Sequence, residues 1–193
     1  MPDTNELVIC SAVLAFAAAG QAAAEVISVA GTGFEIRETA HIAASPDKVY
    51  AALLLPANWW NSAHTFSGSS ANLVLDARAG GCWCENLPGG GSVEHLHVVY
   101  VSPGKTLRLR GALGPFQGLA VDGVMTWSVK GVASGTDVSF TYAVGGYAKN
   151  GFDELSKMTD QVLGEQIERL KKSIEGAAAP GAPAPRTDGG KSR

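Results

Sequence analysis

The stretch Ala40 to Trp60, AHIAASPDKVYAALLLPANWW, constrains the fold of this chain more tightly than any other. A short strand runs into a helix whose start is written in three residues. Ser45 is a favoured N-cap, Pro46 suits the first helical position, where no N–H is needed, and Asp47 places negative charge where the helix dipole favours it. Val49, Tyr50, Leu53 and Leu54 supply the buried face of a helix over 45–55, and Pro56 stops it. Trp59 and Trp60 then mark a short second helical turn over 57–62.

The segments around this helix predict strands. Residues 34–43 form the first, and others follow at 71–77, 81–86, 93–101, 106–111, 121–130 and 136–143. Gly123, Met125, Trp127 and Val129 share one face, opposite Asp122, Thr126, Ser128 and Lys130. Val138, Phe140 and Tyr142 likewise oppose Asp137, Ser139 and Thr141. One dry face and one wet face imply a single antiparallel sheet covered on one side. LPGGGS (87–92), SPGK (102–105) and ASGT (133–136) supply the turns of hairpins. A final long helix over 152–174, capped by Asn150, repeats Leu155, Thr159, Val162, Leu163, Ile167, Leu170 and Ile174 at helical spacing. The expected class is α+β, one curved antiparallel sheet wrapped around a long C-terminal helix.

Residues 7–24 are an apolar run with an Ala-x-Ala end, the pattern of a signal peptide cleaved after Ala24. Export to the periplasm or beyond is expected on that basis. The segment before the run carries Asp3 and Glu6 and no basic residue, so an ordinary N-terminal helix on a cytoplasmic protein is the alternative. The run is too short for a comfortable membrane span, and no stable membrane insertion is expected after cleavage. Residues 25–33 read as a loose lead-in, 34–175 as the folded unit, and 176–193 as an Ala/Pro/Gly-rich tail that lacks large apolar residues. A net charge of −3 and a pI near 5.8 exclude nucleic acid as a partner, because no basic stripe exists to neutralise phosphates.

Cys82 and Cys84 would be the cysteines left after cleavage. In a regular strand, residues two apart lie about 6.5–7 Å from each other at Cα, at or beyond the limit for a relaxed disulfide. They are therefore expected to be two small buried strand residues, with a strained, redox-active bridge as the alternative.

One hairpin gathers the reactive side chains: Cys82, Trp83, Cys84 and Glu85 on one strand, Glu94, His95 and His97 on the next. Opposed residues point to the same side of a sheet, so register decides their chemistry. If Cys84 faces His95, two thiols and two imidazoles share a face with the composition of a zinc site, although spread along a flat ladder. A shift of one residue sets Trp83 and Glu85 beside His95 and His97 and leaves the cysteines with Leu96 and Val98. The second register is preferred, and no metal is expected. It makes Glu85 and His95 the candidate catalytic acid–base pair. The candidate ligand-binding residues are Trp59, Trp60, His64, Trp83, His97, Met125, Trp127 and Tyr142, the aromatic ones being core residues of which a subset lines a cavity. His41 alternates with Ala40 and Ile42 and should point outward. No phosphate-binding motif follows a strand and opens a helix, and no cofactor is expected.

Residues 41–60, the Gly80-Gly81 pair, VYVSPGKTLRLRG (99–111) and GTDVSFTYAVGGY (135–147) are together similar to the START-like, or SRPBCC, superfamily. The likeness is to its branch of polyketide-cyclase-like proteins and activators of the chaperone ATPase. It spans about residues 34–175 and implies the helix-grip fold. It also implies a cavity between sheet and last helix for a small, largely apolar partner (a lipid, an aromatic or a polyketide-like molecule). Two further functions come with it: a cyclase- or dehydratase-like enzyme using Glu85 and His95, and a module that binds another protein. No invariant catalytic motif carries over, and nothing in the sequence indicates oligomeric state.

Overall fold

Eight strands and two helices follow one another in the computed structural model, which describes residues 23–176. The strands are β1 (Ala23–Ala30), β2 (Gly33–Ile42), β3 (Leu73–Leu75), β4 (Cys82–Asn86), β5 (Ser92–Ser102), β6 (Thr106–Arg110), β7 (Ala120–Val132) and β8 (Gly135–Tyr147). Helix α1 (Pro46–Leu53) lies between β2 and β3, and α2 (Asp153–Gly176) ends the described chain. The expected signal peptide, apart from Ala23 and Ala24, and the Pro-rich tail beyond Gly176 lie outside the described residues.

All eight strands form one curved antiparallel sheet in the order β1-β2-β8-β7-β6-β5-β4-β3, and α2 packs along its inner face. The helix-grip α+β architecture is thus the fold of this chain. The alternation that predicts β7 and β8 is realised: Met125, Trp127, Phe140 and Tyr142 are all buried, and the rings of Trp127 and Phe140 lie 4.3 Å apart, tilted by 41°. Ser45 caps α1 by accepting from the Lys48 N–H at 3.4 Å. His41 points outward and pairs with Asp137 at 2.9 Å.

Two local expectations are corrected. Residues 25–30 are not a loose lead-in but most of β1, which pairs with β2 from Ala23↔Thr39 to Ala30↔Gly33. Val26, Ile27 and Val29 supply strand propensity, and the ladder runs through the expected cleavage point after Ala24. The close approach of β2 to β8 at this end requires Gly33, where a Cβ would meet the Val144 carbonyl oxygen at 2.2 Å. Asn150 does not cap α2. The helix starts at Asp153, and the buried Phe152 before it packs on Phe34 and accepts from the Ser156 N–H through its carbonyl.

Candidate functional site

A cavity of about 560 Å³ opens between the inner face of the sheet and α2. Its floor carries Trp83, Leu73 and His95, its far wall Leu155, Thr159, Val162 and Leu163 of α2. Two loops close the sides. One holds Trp60 to Phe66, the other Leu113 to Leu119. Polar side chains are few on this surface: His64, Thr65, His95 and Thr159. At its edge Phe66, Leu119 and Met158 remain exposed and form an apolar rim.

Buried polar anchors hold both loops. Gln166, 1% exposed on α2, accepts the Asn61 N–H at 2.8 Å and meets His64 Nδ1 at 3.1 Å through its amide nitrogen. Trp60 Nε1 donates to the His64 carbonyl at 2.9 Å, folding the turn back on itself. On the other side the hydroxyl of the fully buried Tyr142 accepts the Leu113 N–H and donates to the Gly111 carbonyl, both at 3.0 Å. Burial pushes the Tyr142 phenol well above its ordinary range, so it stays a donor at any physiological pH.

The hairpin β4–β5 follows neither register set out above. Cys82 faces His97 and Trp83 faces Leu96, but Cys84 faces Glu94, so His95 is an extra residue on β5. This bulge turns His95 and Leu96, neighbours in sequence, both into the core. His95 Nε2 then lies 2.9 Å from Glu85 Oε2, with side-chain exposures of 5% and 0%. The Glu85 carboxylate also accepts the Phe66 N–H at 3.1 Å and the Ser67 N–H. Burial alone would raise the Glu85 pKa, yet the hydrogen bonds from Ser67, Phe66 and His95 outweigh it and hold the carboxyl below its usual range. Burial lowers the His95 pKa more than the Glu85 charge raises it, so the imidazole is neutral. A carboxylate only accepts, so Nε2 carries the proton. Nδ1 is left as a bare acceptor, covered and without a partner.

The cavity thus gathers Trp60, His64, Trp83 and His95 among the predicted site residues, and Glu85 stands directly behind His95. The others are corrected. His97 points to the outer face, 45% exposed and 3.4 Å from Glu94, because the bulge separates it from His95. Trp59, Met125, Trp127 and Tyr142 are core residues beneath the cavity rather than parts of its wall; Trp59, for example, spends its indole N–H on the Ala52 carbonyl. Cys82 and Cys84 are not free thiols but a disulfide, made possible by a contraction at the bulge that brings their Cα atoms to 5.4 Å. Among the described residues no group of three or more His, Cys, Asp or Glu side chains is placed to hold a metal ion. Sequence reasoning missed the 113–119 loop, which has no periodicity, and the rim residue Phe66. The α2 wall was present in the sequence only as a helical apolar repeat.

Residues 33–175 match the family described as polyketide cyclase / dehydrase and lipid transport, and the chain belongs to it. The family's description covers ligand-binding and cyclase-type roles. The fold is shared with solved structures at low identity. A protein from Mesorhizobium loti is 18% identical over 74% of this chain and 97% of its own, with a TM-score of 0.55. The Aha1 dimer from Colwellia psychrerythraea is 21% identical over 73% and 96%, with a TM-score of 0.51. The di-domain aromatase/cyclase StfQ of the steffimycin biosynthetic pathway is 14% identical over 77% of this chain but 52% of its own, with a TM-score of 0.53. No curated protein matches this chain.

Proposed function

We propose that this protein binds one small, largely apolar molecule, a lipid, an aromatic or a polyketide-like compound, between its sheet and α2. The observation that carries this is the cavity of about 560 Å³ with its nearly continuous apolar wall and exposed apolar rim. Such a volume lies within the range of small-molecule pockets, and an apolar wall left to water is unfavourable in proportion to its area. Mass spectrometry on an organic extract of protein purified from its own host is expected to find a stoichiometric apolar compound. Val162→Trp, which fills the cavity from a half-buried position on α2, should lose it while folding normally. Wild-type protein that retains no such compound, and whose melting temperature no lipid, aromatic or polyketide shifts, would refute the proposal.

A cyclase- or dehydratase-like reaction using Glu85 and His95 is the second reading, supported by the His95 ring in the cavity wall and the carboxylate that sets its tautomer. Two features weigh against it. Three donors already engage the Glu85 carboxylate, and the His95 Nδ1 lone pair is covered. With an identified substrate, full turnover by both Glu85→Gln and His95→Ala would exclude acid–base roles for the pair.

A further inference from the structure

We propose that the Cys82–Cys84 disulfide is a thiol-exchange site whose redox state controls the cavity. Its co-substrate is a thiol, either a low-molecular-weight one such as glutathione or a protein dithiol. Both cysteines are half-buried on the outer face, while Trp83 between them points inward and forms part of the cavity floor. The bridge spans a sequence separation of only 2, so it closes a minimal loop. It therefore adds little to the stability of the fold as a whole, and opening it leaves the rest of the sheet paired.

The local consequence is large by comparison. The bridge shortens β4 to a Cα–Cα distance of 5.4 Å where an extended strand takes about 6.5–7 Å, and β5 answers with the extra residue His95. Contraction and bulge are two sides of one irregularity. Opening the bridge lets β4 extend, which displaces Trp83 from its edge-to-face contact with Trp60 at 5.0 Å and removes the reason for His95 to point inward. Both side chains are cavity wall.

The exchange balances with two thiols. A thiolate attacks one sulfur, the new S–S bond forms as the old one breaks, and the other cysteine leaves as a thiolate that takes up a proton. A second thiol resolves the mixed disulfide, so that two RSH become RSSR and the bridge becomes two Cys–SH. The outer face favours one direction. Cys82 has His97 opposite it and Arg110 one strand further, the latter bound to Asp122, whereas Cys84 has the Glu94 carboxylate opposite. Negative charge is better placed on Cys82, so attack falls on the Cys84 sulfur.

The coupling of redox state to the cavity rests on the ligand-binding proposal, and the test separates the two. The full chain is equilibrated over a series of reduced-to-oxidised glutathione ratios. Thiols are then blocked and counted by mass, and the affinity of the apolar fluorophore N-phenyl-1-naphthylamine is measured at each ratio. Expected are a reversible opening with an unchanged far-UV spectrum, a trapped glutathione adduct on Cys84, and a change in fluorophore Kd of at least about fivefold, the low end of usual coupling between sites. The double variant Cys82→Ser/Cys84→Ser should show the reduced affinity at every ratio; if it does not fold, wild type held in dithiothreitol replaces it. A bridge that stays closed under reducing glutathione, or a Kd equal in both states, overturns the proposal. A fluorophore that binds neither state instead removes the cavity reading beneath it.

Discussion

Two glutamates on the inner face of one sheet, both with 0% exposure, have opposite chemistry. Glu85 on β4 is surrounded by donors: the Phe66 and Ser67 N–H groups and His95 Nε2. Glu38 on β2 meets none, and across the sheet–helix interface it faces the carboxyl of Asp160 on α2. Burial and the neighbouring negative charge push the Glu38 pKa up to about 8, so at neutral pH it is protonated and its own O–H is the donor for Asp160. Asp160 is held above its usual range by burial, partly offset by that hydrogen bond. Burial works against the charge of both glutamates. The supply of donors decides which one is an anion, and that supply was set by a loop at one end of the sheet and a helix at the other.

The contrast can be broken most severely at Glu85. Glu85→Ala strands two backbone N–H groups and His95 in the core, and urea denaturation at pH 7 should find a loss of about 3–5 kcal/mol. The titration of Glu38 comes next. Its folded-state pKa is raised, so the folded state holds the proton that the unfolded state has released, and stability falls as pH rises from about 4.5 to about 8 and levels off above that. Between pH 7 and pH 9 wild type should lose about 1–2 kcal/mol, and Glu38→Gln should flatten that limb without changing stability much at pH 7. On the acid side the signs reverse. Glu85 and His95 both have lowered pKa values, so their contributions are present at neutral pH and fade on acidification. Below about pH 4.5 Glu38 is protonated in both the folded and the unfolded state, so Glu38→Gln must leave that lowest part of the acid limb unchanged.

A smaller effect is expected at Tyr142, where Tyr142→Phe leaves the buried Leu113 N–H unpaired. Thermal denaturation should register about 1–2 kcal/mol, with weaker retention of the apolar ligand because the 111–113 segment loses its anchor. Least of all should change at the outer face. Asp137→Ala removes a partner of His41 in an exposed pair and should cost no more than about 0.5 kcal/mol, less still in high salt. An effect there as large as at Glu85 would mean that burial is not what separates these sites.

Nearly all of the elements were legible in the residues. Each depends on patterns a few positions long: the Ser-Pro-Asp start of α1, the alternation of β7 and β8, the helical repeat of α2. Ala23 to Ala30 was the exception: Val26, Ile27 and Val29 carry strand propensity, but the segment is too short and too mixed with alanine to stand out until β2 pairs with it. The site was legible in part. Glu85, His95, Trp60 and Trp83 could be singled out by residue type and spacing, but the 113–119 loop, positioned by Tyr142 from a strand 29 residues away, could not.

The sequence alone determined the class of the container: one antiparallel sheet with a dry face and a long amphipathic helix to cover it. Those features follow from local propensity and periodicity, which each segment carries by itself. Tertiary structure alone decided the bulge opposite Trp83 and Cys84, and with it the inward turn of His95, the outward turn of His97 and the closing of the Cys82–Cys84 bridge. It also decided which buried glutamate met donors and which met another carboxyl. Register and ionisation both depend on groups brought together from distant parts of the chain, and the free energy of a contact exists only once its partner is in place.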